Sequence, residues 1–279
     1  MIRSPLRYPG GKSRAVQRLL AFVPETFQEY REPFVGGGSF FLALRQRYPD
    51  VAMWINDINP DLIFFWIWAQ RAPDRLASEI LRLKKQTTDG KALFLALRAM
   101  NPATLTDMER AVRFFVMNRI SFSGLGDAGG FSESAFYHRF TDSSIARVAD
   151  LGKVLDGVRI TNTDYADVLN GGDACTFTFL DPPYLIAAPS RLYGSNGIWH
   201  TQFDHAEFAE RMKTCPHTWI ITYDDTPIIR RNFRFASFHC WDMPYGMTNA
   251  KRPIARTGRE LIIMRHPHPQ DDDASPYAS

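Results

Sequence analysis

Four consecutive residues, Asp181-Pro182-Pro183-Tyr184, set a carboxylate, a carbonyl and an aromatic ring on one stiff corner. Two prolines cannot continue a sheet ladder or enter a helix interior, so the chain must turn there. A planar group bearing an NH2 suits such a corner. Asp181 and the Pro182 carbonyl can accept its two hydrogens, and Tyr184 can stack on its face.

The residues before the corner, Thr176 to Leu180, alternate Phe177 and Phe179 with threonines and read as a buried strand. The corner then lies at the carboxyl end of a strand, where open α/β sheets bind ligands.

A second constellation sits near the amino terminus. Glu32 to Val35 reads as a short strand, Gly36-Gly37-Gly38 as a turn, and Ser39 as the cap of a helix through Tyr48. The next strand ends at Asp57, 21 residues after Gly36, the spacing at which a Rossmann-like half delivers a carboxylate to ribose hydroxyls. A dinucleotide fingerprint would need Gly or Ala at position 41, which is Phe41; a smaller nucleoside ligand without pyrophosphate fits better. Tyr8-Pro9-Gly10-Gly11-Lys12 is not a Walker loop, because Leu6 occupies the required glycine and no buried strand precedes it. Its glycines let the backbone approach a ligand, flanked by Tyr8 and Lys12, and a helix from about Ser13 to Phe22 should follow.

From Asn59 the pattern is helical, with segments at Pro60–Trp68, Pro73–Lys84, Gly90–Ala99 and Thr106–Asn118 and a Gly- and Ser-rich loop from Asn118 to Ser132. Residues 62–157 therefore read as an inserted, mainly helical domain. Asn118, Arg119 and Ser123 have side chains suited to phosphates and base edges, while Asn118 and Arg119 can equally brace a helix end. The α/β pattern resumes with a strand from Val158 to Asp164, and Asp164 either caps the next helix or also faces a ligand base. Asp204 should cap a helix through Lys213, Thr218 to Asp225 form a strand, Phe233 to Met243 another, and Arg259 to Met264 the last. The residues between Leu185 and Phe208 read as a long loop folding over substrate, and residues 266–279 as a disordered tail.

The 279 residues carry a net charge of +3, which becomes +6 without Asp271-Asp272-Asp273. Basic clusters at Arg82–Lys85, Arg110–Arg119 and Lys251–Arg259 could face phosphates or simply be solvated. Three scattered cysteines and seven histidines form neither a disulfide framework nor a metal-ligand pattern. No run reaches the roughly 18 apolar residues of a membrane span, and the basic start lacks a signal peptide's apolar segment; the scattered cysteines fit a reducing cytoplasm.

Taken together, YPGGK (Tyr8 to Lys12), EPFVGGGSF (Glu32 to Phe40), INDINPDLI (Ile55 to Ile63), the NR…GL segment (Asn118 to Leu125), LDPPY (Leu180 to Tyr184) and RELIIM resemble, in type and order, the Dam-like D12 class of adenine-N6 DNA methyltransferases. The resemblance implies an α/β fold: a Rossmann-like sheet, mostly parallel with the last strand antiparallel. Residues 1–61 and 158–265 would be the catalytic domain and 62–157 the target-recognition domain. It implies S-adenosyl-L-methionine as cofactor and an adenine flipped from double-stranded DNA as target, in a bacterial, phage or plasmid setting with a possible restriction-enzyme partner. No metal, membrane or catalytic cysteine is implied.

Carried over by residue, Tyr8, Gly11, Lys12, Phe34, Gly36, Gly37, Gly38, Ser39, Asp57, Asp164 and Asp181 would surround the cofactor. Asp181, Pro182, Pro183 and Tyr184 would hold the base, and Asn118, Arg119, Ser123, Lys251 and Arg252 would meet DNA. Tyr184 is expected to need only its ring. Where relatives carry basic and polar residues after NR…GL, this chain has Gly126-Asp127-Ala128-Gly129-Gly130, which puts GATC as target in doubt; Asp127 could accept from a cytosine amine or turn the loop. The main rival expectation is an RNA adenine-N6 methyltransferase.

Overall fold

The computed structural model describes residues 1–8, 12, 15–185, 203–244 and 257–265. In chain order the elements are α1 (Val16–Leu19, extended by a 3-10 turn to Phe22), β1 (Glu29–Glu32), α2 (Ser39–Arg47), β2 (Ala52–Asn56) and α3 (Pro60–Arg71). Next come α4 (Pro73–Gln86), α5 (Gly90–Ala99), α6 (Asp107–Ile120), α7 (Glu133–Arg139), α8 (Asp142–Asp150) and α9 (Gly152–Leu155). The chain continues through β3 (Arg159–Thr161), α10 (Tyr165–Leu169), β4 (Thr176–Leu180), α11 (His205–Thr214), β5 (Thr218–Asp224), α12 (Pro227–Asn232), β6 (Ser237–Pro244) and β7 (Thr257–Met264).

The seven strands form one sheet in the order β3-β2-β1-β4-β5-β7-β6. β3, β2, β1, β4 and β5 are mutually parallel, and β7 runs antiparallel to both β5 and β6. This is the expected α/β sheet with a reversed last strand. The order reverses direction between β1 and β4, so the loops after these strands frame a crevice at the carboxyl edge.

Strand alternation feeds two apolar layers. Phe177, Phe179, Ile220, Ile262 and Met264 face one side with Tyr30, Phe40 and Ile55. Leu180, Ile221, Tyr223, Leu261 and Ile263 face the other with Phe208, Met212 and Phe233. The first layer continues without a break into Phe65 and Trp66 of α3, Phe115 of α6, and Phe140 and Ile145 beyond. The helical segment therefore shares its core with one sheet face. Its helices start where short polar side chains can cap them. Asn59 accepts from the Asp61 and Leu62 N–H groups, Asp89 from those of Lys91 and Ala92, and Thr106 forms a capping box with Glu109.

Several boundaries differ from the sequence reading, including β6, which begins at Ser237 rather than Phe233, and β3, which ends at Thr161; three others lie near the site. β1 covers Glu29–Glu32 rather than Glu32–Val35, since Pro33 has no N–H for the ladder. Ser39 does not cap α2: Gly38 holds the cap position at φ +64° without a side-chain bond, and Ser39 is the first helical residue. The helix expected over residues 13–22 is shorter, tightening into the 3-10 turn Leu20–Phe22.

Candidate active site

The Gly36-Gly37-Gly38 turn is built for close approach. Gly36 and Gly38 have φ of +47° and +64°, a region costly to residues with a Cβ. A Cβ on Gly36 would lie 2.9 Å from the Tyr8 ring, and one on Gly38 would lie 2.7 Å from the Trp66 ring. Trp66 also donates its indole N–H to the Gly36 carbonyl at 3.2 Å. Two aromatic rings thus clamp the turn from opposite ends.

Asp57 follows β2 directly and is almost fully buried. Its carboxylate accepts from the Gly36 N–H and the Asn59 N–H, both at 3.0 Å. Burial pushes its carboxyl up to about 6, opposed only in part by these backbone donors. Glu32, at the end of β1, takes the Tyr30 hydroxyl proton as a hydrogen bond. Burial drives its carboxyl well above the usual range, and the charges of Asp181 and Asp57 push the same way. That shift favours the neutral form of Glu32 beside the two other acids at adjacent strand ends.

The third acid, Asp181, emerges from β4. Lys12 Nζ lies 2.9 Å from Asp181 Oδ1 and donates to Tyr184 Oη at 2.8 Å, sitting 4.8 Å from that ring's centre. Lys12 is 4% exposed, so this ammonium is withdrawn from water and held by the two partners. Thr222 on β5 donates its hydroxyl to the same Oδ1 at 2.6 Å. Behind Tyr184, the Tyr223 ring lies 5.9 Å away and its hydroxyl meets His205 Nδ1 at 2.5 Å. Burial lowers the His205 pKa, which favours its neutral form.

Beside these groups a cleft of about 460 Å³ opens over the ends of β1, β2 and β3. Phe34, Ile58, Asp164, Tyr165 and Pro183 line it. Phe34 stacks on Tyr165 with centres 5.5 Å apart, giving an aromatic wall, while Ile58 leaves 46% of its surface exposed opposite. Asp164 accepts from the Ala166 N–H at 2.8 Å as cap of α10 and also faces this cleft, so the geometry permits both readings at once. Ile58, Tyr165, Thr222 and Tyr223 were not among the expected site residues. Ile58 was findable as a lone apolar residue directly after the acid; the others depend on strand register.

The loop after α6 is a separate, outward-facing feature. Phe122 is 55% exposed and Ser123 has φ +53°, the only positive φ of a non-glycine among the described residues. Asn118 and Arg119, by contrast, are buried. Asn118 accepts from the Arg7 N–H and donates to the Arg7 and Gly124 carbonyls. Arg119 donates to the carbonyls of Pro5 and Arg139. Both side chains act as braces beneath the loop. Asp127 accepts from the buried Arg113 at 2.6 Å, and Arg110 binds Asp61, so the arginines of α6 are spent on internal ties. Gly11, Lys251 and Arg252 lie outside the described residues.

The sequence pattern of D12 class N6 adenine-specific DNA methyltransferases matches residues 8–247. The chain belongs to this family. Similar proteins include a DNA adenine methylase of Vibrio cholerae, 28% identical with 95% of this chain and 97% of that one covered. The type II methyltransferase M.MjaIII of Methanocaldococcus jannaschii is 27% identical, over 64% of this chain and 68% of its own. The type II methyltransferase M1.LlaDCHI of Lactococcus lactis is 26% identical, over 77% and 76%. As an adenine-N6 DNA methyltransferase the protein needs a base-holding corner and a methyl-donor site, and its glycine turn, three acids and cleft lie side by side at one sheet edge. Among the described residues no helix could cross a membrane, and no three His, Cys, Asp or Glu side chains are grouped to hold a metal.

Proposed function

We propose that this methyltransferase takes its methyl group from S-adenosyl-L-methionine and places it on N6 of an adenine rotated out of double-stranded DNA into the Asp181–Tyr184 corner. The observation that carries this reading is the meeting of Lys12 and Thr222 on one oxygen of Asp181, beside Tyr184 and next to the cleft.

The residues fit that cofactor. Asp57 offers a carboxylate at ribose spacing from the glycine turn, and the Phe34, Ile58, Tyr165 cleft with Asp164 at its rim suits an adenine. Tyr8, Lys12, Gly36 to Gly38 and Ser39 would border the methionine end, where the acidic side chains of Asp57 and Asp181 favour a positively charged ligand. When bound, this cofactor supplies an electrophilic methyl on a sulfonium, a leaving group that needs no acid.

The chain's own residues would handle the base. Adenine N6 is a poor nucleophile because its lone pair is delocalised into the ring. Asp181 and the Pro182 carbonyl each accept one N6 hydrogen, which turns the lone pair out of the ring plane. Asp181 then holds the proton that the methylated amine must lose. Orientation and preorganised charge carry the rate, with no enzyme-bound intermediate. Flipping costs a few kcal/mol, and stacking on Tyr184 returns roughly 1–3 kcal/mol. Contacts of the flanking duplex supply the rest.

We further propose residues 62–157 as the target-recognition unit, with Phe122 and Ser123 presented to DNA and Asn118 and Arg119 acting through the loop they brace. A place beside a restriction enzyme fits relatives named type II methyltransferases, and we propose a cytoplasmic setting for it. Labelled methyl transfer to duplex DNA, single strands and RNA tests the reading. Label on N6 of adenine in duplex DNA is expected, and label confined to RNA would overturn it.

A further inference from the structure

We infer that Thr222 is a positioning residue for methyl transfer: with Lys12 it occupies Oδ1 of Asp181 and so assigns Oδ2 as the oxygen that accepts from the adenine amine. This rests on the reading of Asp181 as that acceptor.

The parallel register ends with Leu180 of β4 paired to Ile221 of β5, so the next residues, Asp181 and Thr222, lie side by side, Thr222 remaining in β5 paired with Ile262 of β7. Thr222 is fully buried, and its hydroxyl sits 2.6 Å from Oδ1. A carboxylate oxygen has no hydrogen to give, so the hydroxyl is the donor. Lys12 Nζ reaches the same atom at 2.9 Å. Thr222 donates a hydrogen bond to Oδ1 and the Lys12 ammonium forms its ion pair with the same atom, whereas Oδ2 accepts no hydrogen bond among the described residues. Fixing one oxygen from a strand hydroxyl and an ammonium also fixes the plane of the carboxylate, because rotation would break the Thr222 bond and pull the ion pair apart.

Packing alone does not call for a hydroxyl here. Valine has nearly the same shape and an equal fitness for strands, and an unbonded buried hydroxyl would be costly. The neighbouring residue shows the same logic on the opposite face: Tyr223 sits against the Tyr184 ring. Consecutive residues of β5 thus support the two functional side chains of the corner, one each.

The test compares single-turnover methyl transfer to duplex DNA in Thr222→Val, Thr222→Ser, Thr222→Ala and Asp181→Asn, alongside dissociation constants for cofactor and DNA. A hydrogen bond to a charged group corresponds to roughly 10- to 100-fold in rate. Thr222→Val should lose that much in the chemical step with both dissociation constants nearly unchanged, and Thr222→Ser should restore most of it. Ser and Ala at 222 leave a similar cavity and differ by the hydroxyl, so their ratio reads the bond even where Val disturbs folding. Equal rates for Ser and Ala, with Asp181→Asn inactive, would overturn the role of Thr222 and leave that of Asp181 standing. Near-normal transfer by Asp181→Asn would overturn both.

Discussion

Lys12 and Tyr184 are joined by a 2.8 Å hydrogen bond from Nζ to Oη, and the same ammonium holds Asp181 at 2.9 Å. Lys12 thereby ties the amino-terminal part of the chain to the Asp181–Tyr184 corner. Lys12→Met should lower the methyl-transfer rate by roughly 10- to 100-fold, the value of a charge-assisted bond lost from a shielded site. Lys12→Arg should not rescue it, because a planar guanidinium cannot meet both oxygens as a compact ammonium does. Tyr184→Phe, expected from the sequence to be silent, loses an acceptor for Lys12 and should fall between wild type and Tyr184→Ala. Full activity in Lys12→Met, measured as turnover with saturating DNA, contradicts this account.

Asp57 should make cofactor binding depend on pH. Its carboxyl is raised to about 6 by burial, and the ionised form is the better acceptor for ribose hydroxyls. Affinity should therefore decline as pH falls through 6, measured by calorimetry between pH 5 and 8. The folded protein without ligand binds this proton more tightly than the unfolded chain. The resulting stabilisation is complete below the ordinary aspartate range near pH 4 and is lost as pH rises through about 6. Its size is on the order of 3 kcal/mol. A flat affinity profile would remove Asp57 from the ribose contact.

Gly38→Ala should unfold more easily by on the order of 2 kcal/mol or more, since left-handed strain and overpacking add. The added methyl would lie 2.7 Å from Trp66, whose indole also holds the Gly36 carbonyl. Thermal melting with and without cofactor checks this. An unchanged melting temperature would show that the clamp yields freely.

Asp164 caps α10 and lines the cleft, and substitution can separate the cap from the proposed cofactor contact. Asp164→Ser keeps a capping oxygen for α10, so stability should hold, while the contact at the cleft is lost and cofactor affinity falls. Asp164→Ala should lose both, the cap being worth about 1 kcal/mol. Equal cofactor affinity in wild type and Asp164→Ser, by equilibrium binding, would leave only the cap.

The sheet and its corner were legible because their signals are local. Phe177 and Phe179 alternate, two prolines end the run, and Asp57 falls at a fixed distance from Gly36. What escaped depends on contacts between distant segments. Thr222 looks like any strand threonine until β5 lies beside β4, and Lys12 gives no hint of its partners. For Asn118 and Arg119 the sequence left DNA contact and bracing open alike, and only burial shows them turned to the carbonyls of Arg7, Gly124, Pro5 and Arg139. Ser39 missed its cap because Gly38 alone tolerates the left-handed turn.

The most direct measurement is N6-methyladenine formed in duplex DNA by wild type and Asp181→Ala in a single turnover with both ligands bound. The account predicts rapid product from wild type and loss of at least about 1,000-fold in the variant, on the scale of removing a preorganised transition-state contact. Cofactor and DNA binding should weaken far less. Turnover by Asp181→Ala close to wild type would contradict the claim that this corner performs the transfer.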